Sequence, residues 1–280
     1  MKVSIVTINY NNVEGLKKTL SSVAVQTFRD IEHIIIDGGS TDGSVDVIKE
    51  YVASNPNKDP FFKHTIKWVS EKDNGIYNAM NKGIKKSIGA YVQILNSGDI
   101  FANLDVVERI VAEIEKVEYP ELLYGNMIKK DYATGKILGK SKEVEYSLRQ
   151  YYTSTMNHDC CYIRRDVYDK YGLYDESLKI VSDWKWFLQA IGLGKVKPVY
   201  VDIDVTIFDA SGISETNLEL RQAERQQVLD ELLPPAVLTD YAKHTFPMEE
   251  YNRLKKYHLW GLAWFVERVF FKLEKWHILR

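Results

Sequence analysis

Cysteine is almost absent from this 280-residue chain, which holds two, Cys160 and Cys161, side by side. Adjacent cysteines strongly disfavour a disulfide between them and match no structural zinc spacing, so neither a disulfide scaffold nor a zinc finger is expected, and a reducing cytosol suits the chain. An excess of either charge is lacking too. There are 37 Lys and Arg against 39 Asp and Glu, a formal charge of -2. That balance offers nucleic acid no global attraction, and no nucleic-acid partner is expected. No apolar run approaches the ~18 residues that span a bilayer. The first one, residues 3–8, is too short for a signal-peptide core and runs straight into Asn9-Tyr10-Asn11-Asn12, so it reads as a strand. Internal repeats and low-complexity tracts are missing as well.

What remains is a 45% hydrophobic chain, enough to bury one α/β core with a smaller appendage. Strand and helix signals alternate through the first half. Leu16, Leu20 and Val23 recur at helical spacing behind Asn12, which is placed to cap the helix. Residues 33–37 form a second strand, followed by a glycine-rich loop and a helix carrying Val45, Ile48 and Val52. The run Asn55-Pro56-Asn57-Lys58-Asp59-Pro60 breaks that helix. A strand over 66–69, a helix over 75–87 and a strand over 91–95 come next, and then a helix bearing Val107, Ile110, Ile114 and Val117. A hairpin turn is expected at Ala133-Thr134-Gly135-Lys136. Beyond residue 140 the pattern weakens and tyrosine accumulates, chiefly as core, with some positions suited to a carbohydrate-facing wall. From Glu215 the chain turns charged and helical. The expected organisation is a domain over 1–210 and a C-terminal helical extension over 211–280.

Two acid-bearing loops stand out, each after an apolar run: Ile36-Asp37-Gly38-Gly39-Ser40-Thr41-Asp42-Gly43-Ser44 and Leu95-Asn96-Ser97-Gly98-Asp99. Buried parallel strands deliver such loops at their carboxyl ends, where open α/β sheets bind ligands. The first loop is neither a P-loop, since Ser44 stands where lysine is needed, nor G-x-G-x-x-G. A carboxylate at a strand end followed by small residues suits a ribose or base, whereas Asp42 is accounted for as a capping residue. Asp99 ends a stretch with no other charge from Tyr91 onward, and one such carboxylate serves a divalent ion when diphosphate and water complete the shell. By themselves these loops also fit turn-forming and capping roles.

The chain resembles family 2 glycosyltransferases of the GT-A fold. The likeness lies in Ser4-Ile5-Val6-Thr7-Ile8-Asn9-Tyr10-Asn11-Asn12, Gln26-Thr27-Phe28, Ile36 to Gly43, Ser70-Glu71-Lys72-Asp73-Asn74-Gly75-Ile76-Tyr77-Asn78-Ala79-Met80-Asn81-Lys82-Gly83 and Leu95 to Asp99. The fourth group is similar to bacterial exopolysaccharide and colanic-acid-type transferases. The ordered set covers residues 1 to about 210.

That resemblance implies a Rossmann-like, mostly parallel sheet and inverting transfer of a sugar from a nucleoside-diphosphate donor to a glycan or lipid-linked acceptor, in cell-surface polysaccharide assembly. Ile8, Asn9, Asp37, Asp73, Asn81 and Ser97 would hold the donor, with Asp37 on the nucleoside. Asp99 would hold Mg²⁺ or Mn²⁺. Asp183, in Val181-Ser182-Asp183-Trp184-Lys185-Trp186-Phe187 at a helix start, would be the general base, taking the proton of the attacking hydroxyl. His158 is expected on the structural or acceptor side, and Arg164-Arg165 as a solvated pair. The chain departs from the family pattern where Asp37-Gly38 replaces Asp-Asp and where Asn96-Ser97-Gly98-Asp99 keeps one carboxylate, which implies weaker metal affinity. The aromatic stretch Leu259-Trp260-Gly261-Leu262-Ala263-Trp264-Phe265-Val266, with basic flanks, suits peripheral contact with the inner face of a membrane or dimerisation. The rival readings are a nucleotide-sugar-binding scaffold without turnover and a sugar nucleotidyltransferase.

Overall fold

The computed structural model describes residues 1–54, 64–132, 134–209 and 217–241. The chain divides into two compact units, Met1–Gln226 and Gln227–Arg280. The expected break at residues 55–60 and the aromatic stretch from Leu259 lie outside the described residues. Among those described, no helix is long and apolar enough to cross a membrane.

The first unit is built on nine strands: β1 (Val3–Asn9), β2 (Ile31–Asp37), β3 (Thr65–Ser70), β4 (Tyr91–Ile94), β5 (Ile100–Phe101), β6 (Leu122–Lys130), β7 (Ile137–Lys140), β8 (Cys161–Arg164) and β9 (Pro198–Asp209). Their order is β3-β2-β1-β4-β8-β6-β9-β5, with β7 pairing β6. Strands β1 to β4 pair in parallel, β8 is antiparallel to both β4 and β6, and β9 runs parallel to β6. All seven residues of β1 and all seven of β2 are buried, as expected of strands covered on both faces. The helices are α1 (Val13–Ala24), α2 (Ser44–Ser54), α3 (Ile76–Lys86), α4 (Val106–Lys116), α5 (Leu148–Thr153), α6 (Arg165–Tyr171), α7 (Ser182–Phe187) and α8 (Leu218–Leu232).

Local chemistry explains these boundaries. Asn12 caps α1 by accepting from the Gly15 amide, and Leu16, Leu20 and Val23 form its buried stripe. In α2, Ile48 carries the burial that the spacing spread over three residues. Helix α3 lies close on β1 because residue 83 is glycine: a Cβ there would stand 2.2 Å from a Val6 methyl. The hairpin expected around Thr134 joins β6 to β7. His33 is buried between the Thr7 hydroxyl and the Tyr51 hydroxyl, each 3.0 Å away, and burial lowers its pKa to about 3, so the ring stays neutral.

The tyrosine-rich region is mainly core, as expected. Tyr151, Tyr162, Tyr168 and Tyr174 are buried, and Tyr168, Tyr174, Trp186 and Tyr77 form a chain of ring contacts with centroids 5.2–6.4 Å apart. Both cysteines are free and buried, each thiol facing the Asn157 carbonyl. Arg164 pairs with Asp166 at the surface, the solvated role expected of it.

Candidate active site

The parallel register of β1 and β2 ends on Asn9 opposite Asp37, and the loop after β4 comes up beside them, with the Ser97 amide donating to the Ile8 carbonyl at 3.0 Å. Three strand ends therefore meet at one edge of the sheet. Thr19, buried on α1, pins the third loop: its hydroxyl donates to the Asp99 carbonyl at 2.7 Å and accepts from the Gly98 amide at 3.0 Å. Asn12 reaches across from α1 to donate to the Ser97 carbonyl.

These loops open on a cavity of about 1130 Å³. Its lining includes Ile8, Asn9, Gly38, Asp73, Ser97 and Asp99 from the first half of the chain and Met156, His158, Ile180, Asp183, Trp184, Arg221 and Arg225 from the second. Ile8, Asn9, Asp73, Ser97, Asp99 and Asp183, separated by up to 175 positions in sequence, thus share one space.

Asp37 and Asn81, expected at the donor, are not among the residues lining this cavity, and their polar atoms are engaged within the protein. The fully buried Asp37 carboxylate accepts from the Asn9 amide (2.8 Å), the Ser40 amide (3.0 Å), the Ser40 hydroxyl (2.6 Å) and the Ser70 hydroxyl (2.6 Å). Four hydrogen bonds fill the acceptor sites of a carboxylate. Burial pushes its pKa up, but these bonds outweigh burial and hold it below the usual carboxylate range. Asp37 thus shapes the loop around Gly39, whose φ of +80° favours glycine, and orients Asn9. The Asn9 amide oxygen is buried at the cavity without a hydrogen-bond partner. Asn81 is buried on α3, donating to the Tyr174 carbonyl and to Glu176 and accepting from the Tyr174 amide. It braces the 174–176 segment. Asp42 caps as expected, accepting from the Val13 and Ser44 amides. Asp73 is paired with Lys82 at 2.6 Å.

Across the cavity, Asp183 sits in the first turn of α7. One carboxylate oxygen accepts from the Tyr77 hydroxyl at 2.9 Å and the other faces Nδ1 of His158 at 3.2 Å. Burial raises the carboxyl pKa, yet His158 and Tyr77 more than offset it, so Asp183 lies below the ordinary carboxylate value. Burial alone would strip the proton from His158, but the Asp183 contact, aided by Asp159 and Asp99, raises its pKa to about 9. At neutral pH the pair is therefore carboxylate and imidazolium. The Asn96 amide lies 3.2 Å from Nε2 of His158. It is the amide nitrogen that faces the ring, and the Asn96 oxygen is buried without a partner; since a charged ring donates from both nitrogens, a turned amide satisfies both groups. The result is a chain of contacts from the loop after β4 to α3: Asn96, His158, Asp183, Tyr77. The Tyr77 hydroxyl, His158 and the Trp184 amide thus share a carboxylate that has about four acceptor sites.

The sequence places His158 on the structural or acceptor side, and the structure sets it against the Asp183 carboxylate. Tyr77 lay inside a quoted motif without a role. Glu224 and Arg225 were missed in a segment read only as charged helix. A signal existed, because Leu220, Glu224 and Val228 fall on one helical face, placing a carboxylate in an apolar stripe.

A divalent ion requires hard oxygen ligands, and the loops at this edge bring two carboxylates to the cavity, Asp73, which is paired with Lys82, and Asp99. No group of three His, Cys, Asp or Glu side chains suited to a metal occurs among the described residues. A single carboxylate suffices where substrate phosphate and water complete an octahedral shell, so the donor set fits an ion that comes with a diphosphate.

Comparison with known proteins gives this site a family. The model of glycosyl transferase family 2 matches residues 4–172. An uncharacterised glycosyltransferase of Mycobacterium tuberculosis is 31% identical over 214 residues, 75% of this chain and 76% of its own. A PGL/p-HBAD biosynthesis glycosyltransferase of Mycobacterium bovis is 25% identical over 214 residues, 76% and 79% of the two chains. Among solved structures, S. aureus TarS 1–349 in complex with UDP-GlcNAc superposes with a TM-score of 0.61 at 19% identity, covering 82% of this chain and 71% of that one. This chain spans 42% of the longer TarS chain. The mannosyltransferase PcManGT of Pyrobaculum calidifontis, in complex with GDP-Man and Mn²⁺, gives a TM-score of 0.61 at 13% identity over 82% and 63%. The match over residues 4–172, together with the GT-A architecture of the structural neighbours, makes this chain a glycosyltransferase of family 2.

Proposed function

We propose that the enzyme transfers a sugar from a nucleoside-diphosphate donor to a hydroxyl of a glycan or lipid-linked glycan, with inversion, in the assembly of a cell-surface polysaccharide or glycolipid. The observation that carries this reading is the Asp183 carboxylate, held by His158 and Tyr77, opening on the same cavity as the Asn9, Ser97 and Asp99 loops. The donor is assigned to the loop side. The Asn9 amide oxygen, oriented through Asp37, accepts from the nucleoside, and Ile8, Asp73 and Ser97 line its pocket. Asp99 would hold Mg²⁺ or Mn²⁺, which when bound neutralises charge on the departing diphosphate. The acceptor is assigned to the side of Met156, Ile180 and Trp184, whose apolar surface suits the C–H faces of a sugar.

Asp183 is ionised at neutral pH and a weak base in the ground state. It takes the proton as the hydroxyl acidifies during attack on the anomeric carbon, opposite the leaving group. The imidazolium of His158 keeps the carboxylate ionised and turned toward the cavity. Transfer uses cytosolic donors, and the aromatic stretch from Leu259 is assigned to the inner membrane face or to a second copy of the chain. The likeness to a PGL/p-HBAD biosynthesis glycosyltransferase supports a biosynthetic role.

The test is thermal stabilisation by UDP, GDP, CDP and dTDP, each with Mn²⁺ and with EDTA. One nucleotide at a hundred times its Kd is expected to add ~2.7 kcal/mol of stability. Its effect should shrink in EDTA. No stabilisation by any of them would contradict the assignment of the loop side to a nucleotide donor.

A further inference from the structure

Helix α7, which carries Asp183, has six residues and runs directly into one π-helical segment, Leu188–Gly192. Helices that short are unstable alone, so the direction of the carboxylate depends on anchors outside α7. The contacts on either side of Asp183 lead to two neighbouring residues on α8.

Before Asp183, the 179–181 backbone points its amides at a single side chain. The Glu224 carboxylate, 7% exposed, accepts from the amides of Lys179 (2.7 Å), Ile180 (2.9 Å) and Val181 (3.3 Å). Val181 is the cap of α7, and its carbonyl accepts from the Lys185 amide at 2.9 Å to close the first turn. After Asp183, Trp184 is fixed on two sides. Its indole N–H donates to the Tyr151 carbonyl, and the Arg225 guanidinium lies 4.2 Å from its ring centroid. Arg225 is tied in turn to the Tyr152 carbonyl at 3.1 Å and the Ser154 carbonyl at 3.3 Å. A planar guanidinium can stack and donate in this way, and a lysine ammonium cannot.

We propose that Glu224 and Arg225 form a clamp that positions Asp183, one residue holding the chain that enters α7 and the other the side chain that follows the base. The clamp belongs to the acceptor side of the site and leaves the loops assigned to the donor untouched. It makes α8 part of the catalytic machinery through position alone, since neither residue needs to touch the reacting atoms. A displacement of about 1 Å at a catalytic group can cost about 100-fold in rate, so loosening either jaw should appear in kcat.

This inference rests on Asp183 being the base, and the test separates the two. Glu224→Gln, Arg225→Lys, Arg225→Ala and Asp183→Asn are compared in the full chain. The readouts are release of nucleoside diphosphate to water from UDP-glucose, UDP-galactose, UDP-N-acetylglucosamine and GDP-mannose, donor KM, and melting temperature with and without UDP and GDP. Glu224→Gln keeps the size of the side chain and one acceptor oxygen. It and Arg225→Ala are expected to lower kcat about 10- to 30-fold, with donor KM and the nucleotide-induced melting shift changed less than about twofold, and Arg225→Lys should fall between Arg225→Ala and the unaltered enzyme. Unchanged kcat in both, with Asp183→Asn inactive, overturns the clamp and leaves the base standing. A rate that falls only in step with nucleotide binding and melting temperature makes the two residues plain fold stabilisers and also overturns it. Turnover retained by Asp183→Asn removes the base, and the clamp with it. Should Glu224→Gln fail to fold, the Arg225 pair decides the matter by the same criteria.

Discussion

Replacing Asp183 by Asn is expected to lower kcat by about 1000-fold or more, within the range for loss of a positioned general base, while nucleotide binding stays within about twofold. The substitution is nearly isosteric. It keeps an oxygen for the Tyr77 hydroxyl, and its amide group faces His158, whose proton the carboxylate had held. The imidazole then reverts toward neutral, because the largest contribution raising its pKa to about 9 is removed. Local packing around Tyr77, Tyr174 and Trp186 is unaffected, so the variant should fold. Steady-state release of nucleoside diphosphate, with nucleotide titration by thermal shift, checks both halves. Loss of nucleotide binding together with turnover would place Asp183 in the donor pocket and contradict its assignment as base.

Asp37→Ala is expected to act in the opposite way, on stability and nucleotide binding first. The variant strands a buried set of donors: the Ser40 amide and hydroxyl and the Ser70 hydroxyl lose their acceptor, and the Asn9 amide keeps only the longer bond to the Ser40 hydroxyl at 3.2 Å. Breaking a buried, hydrogen-bonded charge site from one side costs about 3 kcal/mol. For a domain of this size that corresponds to a fall in melting temperature of about 6–12 °C. Because the folded-state pKa of Asp37 lies below its unfolded value, its stabilisation is complete above the unfolded value and is lost as pH falls through the folded one. The penalty of the variant should therefore be full at neutral pH and shrink in acid. Nucleotide affinity should fall as well, since Asn9 loses the partner that fixes its amide. A melting temperature close to that of the unaltered protein at pH 7 would contradict the structural role given to Asp37.

Periodicity and turn chemistry made the parallel half of the sheet legible. The strands ending at Asn9 and Asp37, the cap at Asn12 and the stripe on α1 are all local features, and each is where the spacing places it. The resemblance then located six of the eight candidate residues on one cavity. What the sequence could not reveal is how a carboxylate divides its hydrogen bonds. Asp37 and Asn81 carry the chemistry of ligand-binding groups, and only the positions of Ser40, Ser70, Tyr174 and Glu176 decide that their capacity is spent within the protein. Partners far along the chain were equally hidden. Tyr77 meets Asp183 across 106 positions and Glu224 meets Ile180 across 44, distances over which no local pattern operates. The second half of the fold is irregular in sequence because it mixes antiparallel and parallel pairings and helices of six or seven residues, too short to give a clear period.

The most direct test of the central claim is the anomeric configuration of the first product formed from an α-linked nucleotide sugar, followed by proton NMR before the free sugar can equilibrate. Direct displacement assisted by Asp183 predicts a β-configured product. An α-configured first product would mean that the attacking hydroxyl does not approach opposite the leaving diphosphate, and the assignment of Asp183 as an inverting base would be wrong.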